Sequence, residues 1–395
     1  LLSRRSACYS AVHWKHPDVW EWLTVKEWDA NYTELKAKSV DYPAPLDVHN
    51  ISIRYDPEFI EAYHDETHSW HNHAVTLFDK HIQQMVRWGD PSIQYDWDNQ
   101  ILRNACGEIL SNKNGDSCVI GSVNLANIHN DTEFTDVVAI ATKFLMVVKY
   151  INPYPMDEMQ QVAHTDMRIG LGMMGLHNWL LDRRYPYEWN NELEEVHKLW
   201  QQVSDATAAE YAKRMNWNEP VCKRAYAPTG SISRLFGGIS SGCEAIFSGA
   251  YLWRYQSGND RKEQITIDPY VLQLVQSGKV NPYEPFTDAL SLATPEGFKH
   301  RVEMQANIQR YTDNAISSTI NLPQWGTHGN DANTLDYYKR IILMYMPYLR
   351  GLTVYPALAR SGQPLTKVSL VEALESKGYA VDSEYSNCSS GVCAT

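Results

Sequence analysis

The residues able to do chemistry in this chain gather in four places. The first is LRNACGEIL, residues 102–110, where Asn104, Cys106 and Glu108 alternate within five positions. A thiol can act as nucleophile, metal ligand or hydrogen-atom donor, a carboxylate can take a proton, and an amide can orient a hydroxyl. The competing reading is a buried structural cysteine beside a surface glutamate. A second thiol, Cys118, follows in DSCVIGSVNLANI. The second place is Pro228-Thr229-Gly230-Ser231-Ile232-Ser233. It puts hydroxyls and free backbone N–H groups in a tight loop of the kind that cradles a diphosphate, or that simply turns the chain.

The third place is the C-terminal tail, where Cys388 and Cys393 are separated by four residues. A zinc site would need two more ligands, and the tail offers no histidine, so a mobile dithiol for thiol–disulfide exchange fits better. The fourth is HDETHSWHNH, with His64, His68, His71 and His73. The His64/His68 spacing could bind zinc on one helix. The segment reads instead as part of a long Trp-rich amphipathic stretch over 58–88 whose histidines pack, and no metal is expected.

The elements that position these groups alternate between short strands and helices. Residues 5–14 read as a strand, and HPDVWEWL opens a helix with Pro17 in its first turn. NISIRYDPEF reads as a strand that turns at Asp56-Pro57. Helical periodicity runs over about 132–150, 156–183 and 191–214. STINLP (318–323) and GLTVYP (351–356) read as short buried strands around a helix of roughly 333–348. The expected class is α/β with parallel strands. From about 367 the chain turns polar, giving a catalytic unit over 1–366, with its reactive loop at about 101–117, and a flexible redox tail over 367–395.

The 395 residues carry a formal charge of -12, which argues against a sequence-independent nucleic-acid binder but not against a nucleotide substrate. No apolar run reaches membrane-spanning length and the first residues lack signal-peptide order, so neither membrane nor DNA is an expected partner. Seven scattered cysteines fit a reducing compartment, and the cytoplasm is the expected location.

Asn104-Ala105-Cys106-Gly107-Glu108-Ile109, with the run from Cys118 to Ala126, resembles the finger loop and following strand of ribonucleotide reductases. That resemblance implies most of a ten-stranded α/β barrel, incomplete at its N-terminal end, made of two parallel five-stranded halves with the finger loop at its centre. It implies that Cys106 becomes a thiyl radical removing the ribose 3′ hydrogen, with Glu108 as base for the 3′ hydroxyl and Asn104 bonding the sugar. Cys118 would be one of two thiols reducing the 2′ carbon. Thr229, Gly230, Ser231 and the N–H groups of Ile232 and Ser233 would hold the substrate phosphates, and Cys243 would pack in the core. Cys388 and Cys393 would re-reduce the site and be reduced by thioredoxin or glutaredoxin. Val354-Tyr355 stands where the radical-relaying reductases carry two adjacent tyrosines, and GLTVYPALARSGQPL resembles the class dependent on adenosylcobalamin.

The resemblance runs from Arg4 to Cys393. Arg4 and Arg5 look like the end of the loop that reports a nucleoside triphosphate effector to the substrate site. The family's first barrel strand, second reducing cysteine and most of the specificity site have no counterpart. Cys8 reads as part of an ordinary strand and not as a replacement. The implied partners are a ribonucleoside di- or triphosphate, a complementing N-terminal part, either a separate chain of the kind a split phage gene supplies (then in the host cytoplasm) or a further stretch of the same polypeptide, and a second copy in a homodimer. Rival readings are a large subunit fed by a di-metal partner, a non-catalytic nucleotide-binding paralogue and a glycyl-radical enzyme. The dithiol tail argues against the last.

Overall fold

The computed structural model describes residues 7–38, 42–47, 49–98, 100–117, 119–257, 260–359, 365–376 and 380–381. The chain opens with β1 (Cys8–His13), α1 (Val19–Thr24), α2 (Ala30–Lys38), β2 (His49–Tyr55), α3 (Pro57–His64), α4 (His71–Trp88) and β3 (Ser92–Tyr95). A hairpin follows, β4 (Leu102–Arg103) and β5 (Leu110–Ser111), then β6 (Ile120–Asn124), α5 (Asp131–Ile151), α6 (Asp157–Asp166) and β7 (Gly170–Met174). Next come α7 (Leu176–Asp182), α8 (Asn191–Met215), α9 (Gly230–Leu235), β8 (Ala250–Ser257), β9 (Asp260–Ile267) and α10 (Pro269–Gln276). The remainder is α11 (Pro295–Gln309), β10 (Thr319–Leu322), α12 (Leu335–Tyr345), β11 (Gly351–Pro356), β12 (Leu365–Lys367), α13 (Leu370–Glu375) and β13 (Ala380–Val381).

The main sheet has the order β1-β2-β3-β11-β10. β1, β2 and β3 are mutually parallel, β11 joins β3 antiparallel through Gly351↔Gln94 and Leu352↔Ile93, and β10 lies parallel to β11. β6 and β7 form a separate parallel pair. Parallel bridges Leu171↔Arg224 and Tyr226↔Ile316 link that pair to the segment leading into β10. Two parallel groups therefore meet head to tail. One has three strands, and the other runs β6, β7, residues 224–226, β10, β11. Ten strands and a closed ring are not realised among the described residues, because β1 and β6 each pair on one side only. The α/β class stands.

The local reasons are ordinary. β2 alternates: Ile51, Ile53 and Tyr55 are buried on one side, and Ile53 and Tyr55 pack with Phe59, Leu77, Phe78 and Met85 of α3 and α4. Asn50, Ser52 and Arg54 form the opposite face. Asp56 ends the strand and caps α3 by accepting from the Phe59 N–H at 3.0 Å, with Pro57 in the first turn. A second core, including Leu145, Ile169, Leu171, Trp200 and Tyr226, fills the space between β6–β7 and helices α5 and α8.

Three expectations need correcting. The periodic stretch 156–183 is not one helix, because β7 lies inside it with all five residues buried. A strand buried on both faces is apolar throughout, and periodicity alone cannot tell it from a buried helix. The 58–88 stretch is two helices broken at residues 65–70. The unit boundary at 366/367 falls inside β12, which pairs with β8. Leu370 and Ala373 are buried against Ile246, Ala250 and Ile267 in a third core beneath the β8–β9 ribbon, which the sequence reading passed over. Residues 367–376 thus belong to the folded body.

Candidate active site

β4 and β5 pair antiparallel and carry residues 104–109 at their tip. The Gly107 N–H donates to the Asn104 carbonyl at 3.0 Å, closing a tight turn. Gly107 has φ +83°, a conformation that side chains with a Cβ resist. The Asn104 amide closes the tip from inside: its Oδ1 accepts from the Ile109 N–H at 3.0 Å, and its Nδ2 donates to Glu108 Oε1 at 2.8 Å. Cys106 is left exposed at the apex.

Both parallel groups grip this hairpin. From the three-stranded group, Asn50 Nδ2 donates to the Ala105 carbonyl at 2.7 Å. Arg103 and Asp96 form a buried ion pair at the stem, Gln94 Nε2 donates to Asp96 at 2.8 Å, and the Tyr9 hydroxyl donates to Gln94 Oε1 at 2.6 Å. From the other group, the Ala315 N–H donates to the Glu108 carbonyl at 2.7 Å. Asn314 accepts from the Leu110 N–H at 3.4 Å and donates to the Ile169 and Arg224 carbonyls at 3.1 and 3.0 Å. Gly170 permits the contact, since a Cβ there would stand 2.9 Å from Ile109 Cδ1. The stem continues into Asp116, which accepts from Arg168 Nε at 2.8 Å and sits 3.4 Å from Lys149 Nζ.

Electrostatics at the tip favour protonated groups. Burial raises the Glu108 carboxyl above its usual range, against the lowering effect of its hydrogen bonds to its own backbone and to Asn104. Glu108 is 2 % exposed, and its Oε2 is buried with no hydrogen-bond partner. The Cys106 thiol is also raised, first by desolvation and then by the neighbouring Glu108. A thiol kept protonated holds the hydrogen atom that radical chemistry needs and is a poor thiolate nucleophile.

The 228–233 loop lies close by along the sheet. Glu108 and Tyr226 both bond to the backbone of Ala315, and the loop begins two residues after Tyr226. Two of the loop's groups make bonds within the protein. The Thr229 hydroxyl accepts from the Gly242 N–H at 3.1 Å, and its own N–H donates to Ser241 Oγ at 2.8 Å, so Thr229 clasps the loop shut. The Ser233 N–H donates to the Thr229 carbonyl at 2.8 Å within α9 and is not free. Gly230, Ser231 and Ile232 are exposed and occupy the first turn, where N–H groups have no helical partner.

The histidines do not converge. His71 Nδ1 bonds to the Ala62 carbonyl at 3.0 Å and His73 Nε2 to the Trp14 carbonyl at 2.8 Å, while His68 lies in the turn between α3 and α4. Cys243 is buried in the second core. Cys8 shares a face of β1 with Ser10, which bonds to His49 at 3.0 Å, and is opposite Tyr9, which reaches the hairpin stem. Tyr355 is partly buried on β11 beside fully buried Val354. Cys118, Cys388, Cys393, Arg4 and Arg5 lie outside the described residues. A cavity of about 440 Å³ opens among Trp97, Cys222, Asp313 and Arg350, and none of the sequence-assigned residues lines it. Sequence reasoning missed Asn50, Asp96 and Asn314, because their contacts join residues 7 to 204 positions apart and leave no local pattern.

Comparison with known proteins gives a family for the chain's sequence and fold. A family described as ribonucleotide reductase, barrel domain, matches residues 43–216. The chain is 25% identical over 430 aligned positions to a vitamin B12-dependent ribonucleoside-diphosphate reductase of Mycobacterium tuberculosis, covering 93% of this chain and 58% of that protein. It is also 25% identical to a putative adenosylcobalamin-dependent ribonucleoside-triphosphate reductase of Mycobacterium phage D29, covering 99% of this chain and 60% of that one. The chain thus spans less than two thirds of these relatives. Among solved structures, a B12-dependent class II ribonucleotide reductase superposes with TM-score 0.65 at 16% identity, over 88% of this chain and 52% of that one. The Actinobacillus ureae class Id alpha subunit gives 0.64 at 18%, over 89% and 70%. The fold therefore does not distinguish the two classes.

Proposed function

We propose that this chain, whose residues 43–216 match the ribonucleotide reductase barrel-domain family, is the catalytic portion of an adenosylcobalamin-dependent ribonucleotide reductase. The observation that carries the reading is the hairpin tip: an exposed Cys106 thiol beside the buried Glu108 carboxyl, gripped by two opposed parallel groups. Taking a hydrogen from carbon is beyond ordinary acid–base groups, and a radical must be held where it cannot stray.

In this reading Cys106 takes the 3′ hydrogen of the ribose and Glu108 takes the 3′ hydroxyl proton. Asn104 keeps Glu108 aimed and offers its second N–H to the sugar. The 2′ oxygen leaves as water, and two thiols supply two electrons and close a disulfide. Cys118 is one of those thiols, and the other comes from the family's N-terminal part, on a longer form of the same polypeptide or on a complementing chain. That part also completes the ten-stranded barrel on the open edges of β1 and β6. The N–H groups of Gly230, Ser231 and Ile232 and the Ser231 hydroxyl face the phosphates. Arg4 and Arg5 couple a nucleoside triphosphate effector to the substrate, in a homodimer of the cytoplasmic enzyme.

Adenosylcobalamin, when bound, would supply the one-electron chemistry, and Cys106 would be the residue that receives the radical. The residues fit it: the thiol stands exposed for approach, and Val354 precedes Tyr355 where a protein-borne radical would need a second tyrosine. The B12-dependent names of the relatives support the same class.

The test is formation of deoxynucleotide by the chain together with its complementing partner. Activity is expected with adenosylcobalamin and not without it. Full activity without cobalamin, or a strict need for a di-metal subunit, would overturn the class. A second expectation concerns the tail. Changing Cys388 and Cys393 together to Ser should block turnover driven by thioredoxin and spare turnover driven by a small dithiol that reaches the active-site pair directly. Equal loss with both reductants would refute a pure relay.

A further inference from the structure

We infer that Asn50 is a positioning residue for the Cys106 thiol. Its side-chain N–H donates to the Ala105 carbonyl at 2.7 Å, across 55 residues of sequence, and Ala105 is the residue bonded to Cys106. The stem is held by the Arg103–Asp96 pair and by Asn314, but both act at or below the hairpin's paired residues. Within the tip, the Asn104 amide is spent on Ile109 and Glu108. Asn50 therefore supplies the side-chain contact from the three-stranded group that reaches the peptide next to the thiol.

The donor is itself fixed. Asn50 pairs with Tyr9 in the β1–β2 register, and β2 is held on its other side by β3. Its neighbour His49 bonds to Ser10 at 3.0 Å, and Ile51 beyond it is 1 % exposed. A group on a braced strand holds its partner more tightly than one on a loop. Hydrogen-atom transfer depends on a close approach of sulfur to carbon, so a slack tip slows the chemical step without weakening substrate binding.

The activity part of this inference rests on the reductase reading, so the test has two arms. In the first, Asn50→Leu and Asn50→Ala chains are treated with an alkylating reagent, and each cysteine is followed by peptide mass spectrometry. Cys8, exposed at the start of β1, serves as the internal reference. Losing one hydrogen bond should speed Cys106 alkylation by about threefold to tenfold with Cys8 unchanged. An unchanged Cys106 rate overturns the inference, and so does an equal rise at both cysteines, which would mean general loosening. In the second arm, the assembled enzyme carrying either variant should lose about tenfold or more in kcat with KM within about twofold. A raised KM at unchanged kcat overturns the positioning role. If the parent enzyme makes no deoxynucleotide, the reductase reading falls, and the alkylation arm still decides Asn50.

Discussion

Cys106→Ser should abolish turnover, by more than about a thousandfold, while leaving nucleotide affinity within about twofold of the parent. The serine O–H bond is stronger than the thiol S–H bond, and each additional 1.4 kcal/mol or so on the barrier slows the reaction tenfold. The exchange is otherwise mild. Cys106 is exposed at the apex, so replacing sulfur by oxygen opens no core cavity, and stability should move by no more than about 0.5 kcal/mol. The comparison needs both equilibrium nucleotide binding and deoxynucleotide formation. A Ser variant that turns over at the parent rate would remove the radical role from this residue. A variant that loses binding in step with turnover would point to a structural role for the tip.

Glu108→Gln should lower kcat by about a hundred- to ten-thousandfold, the usual worth of a positioned general base. It should also make the protein more stable at neutral pH. Burial raises the Glu108 pKa in the folded chain. A carboxyl raised in this way favours the folded state most below its unfolded pKa, and that contribution is lost as pH rises through the folded value. Above that window the parent buries an ionised group whose Oε2 has no partner, whereas the glutamine stays neutral. The stability gain of the variant should therefore open as pH rises from about 4.5 and be absent below it. Parent kcat should rise with pH over the same window, with a midpoint above the ordinary carboxylate range, and the residual rate of the variant should be flat. Thermal unfolding and kcat measured across pH test both halves. A variant less stable than the parent at pH 7, or a parent profile with no such limb, would count against a buried, titrating base.

The sequence by itself determined which reactive groups share the hairpin tip, and the local elements. Cys106 and Glu108 lie two residues apart, so one tight turn brings thiol and carboxyl together whatever the rest of the chain does. Gly107 between them supplies the positive φ that the turn needs. Strands and helices with clear periodicity or end signals were equally legible: β2 with Asp56-Pro57 after it, α5 and α8, and β11. Long-range pairing decided the rest. β7 reads as helix until its neighbours β6 and residues 223–225 are known, because burial on both faces removes the alternation that marks a strand. The bonds that Ser241, Gly242 and the first turn of α9 make to Thr229 and to the Ser233 N–H are invisible in the sequence, since a hydroxyl or N–H can be counted as free only once every nearby partner is in place. The grip on the hairpin by Asn50, Asp96 and Asn314 exists only in three dimensions. These residues meet the finger because two parallel groups of strands fold against it from opposite sides, and no spacing along one strand or helix records a contact made across the sheet.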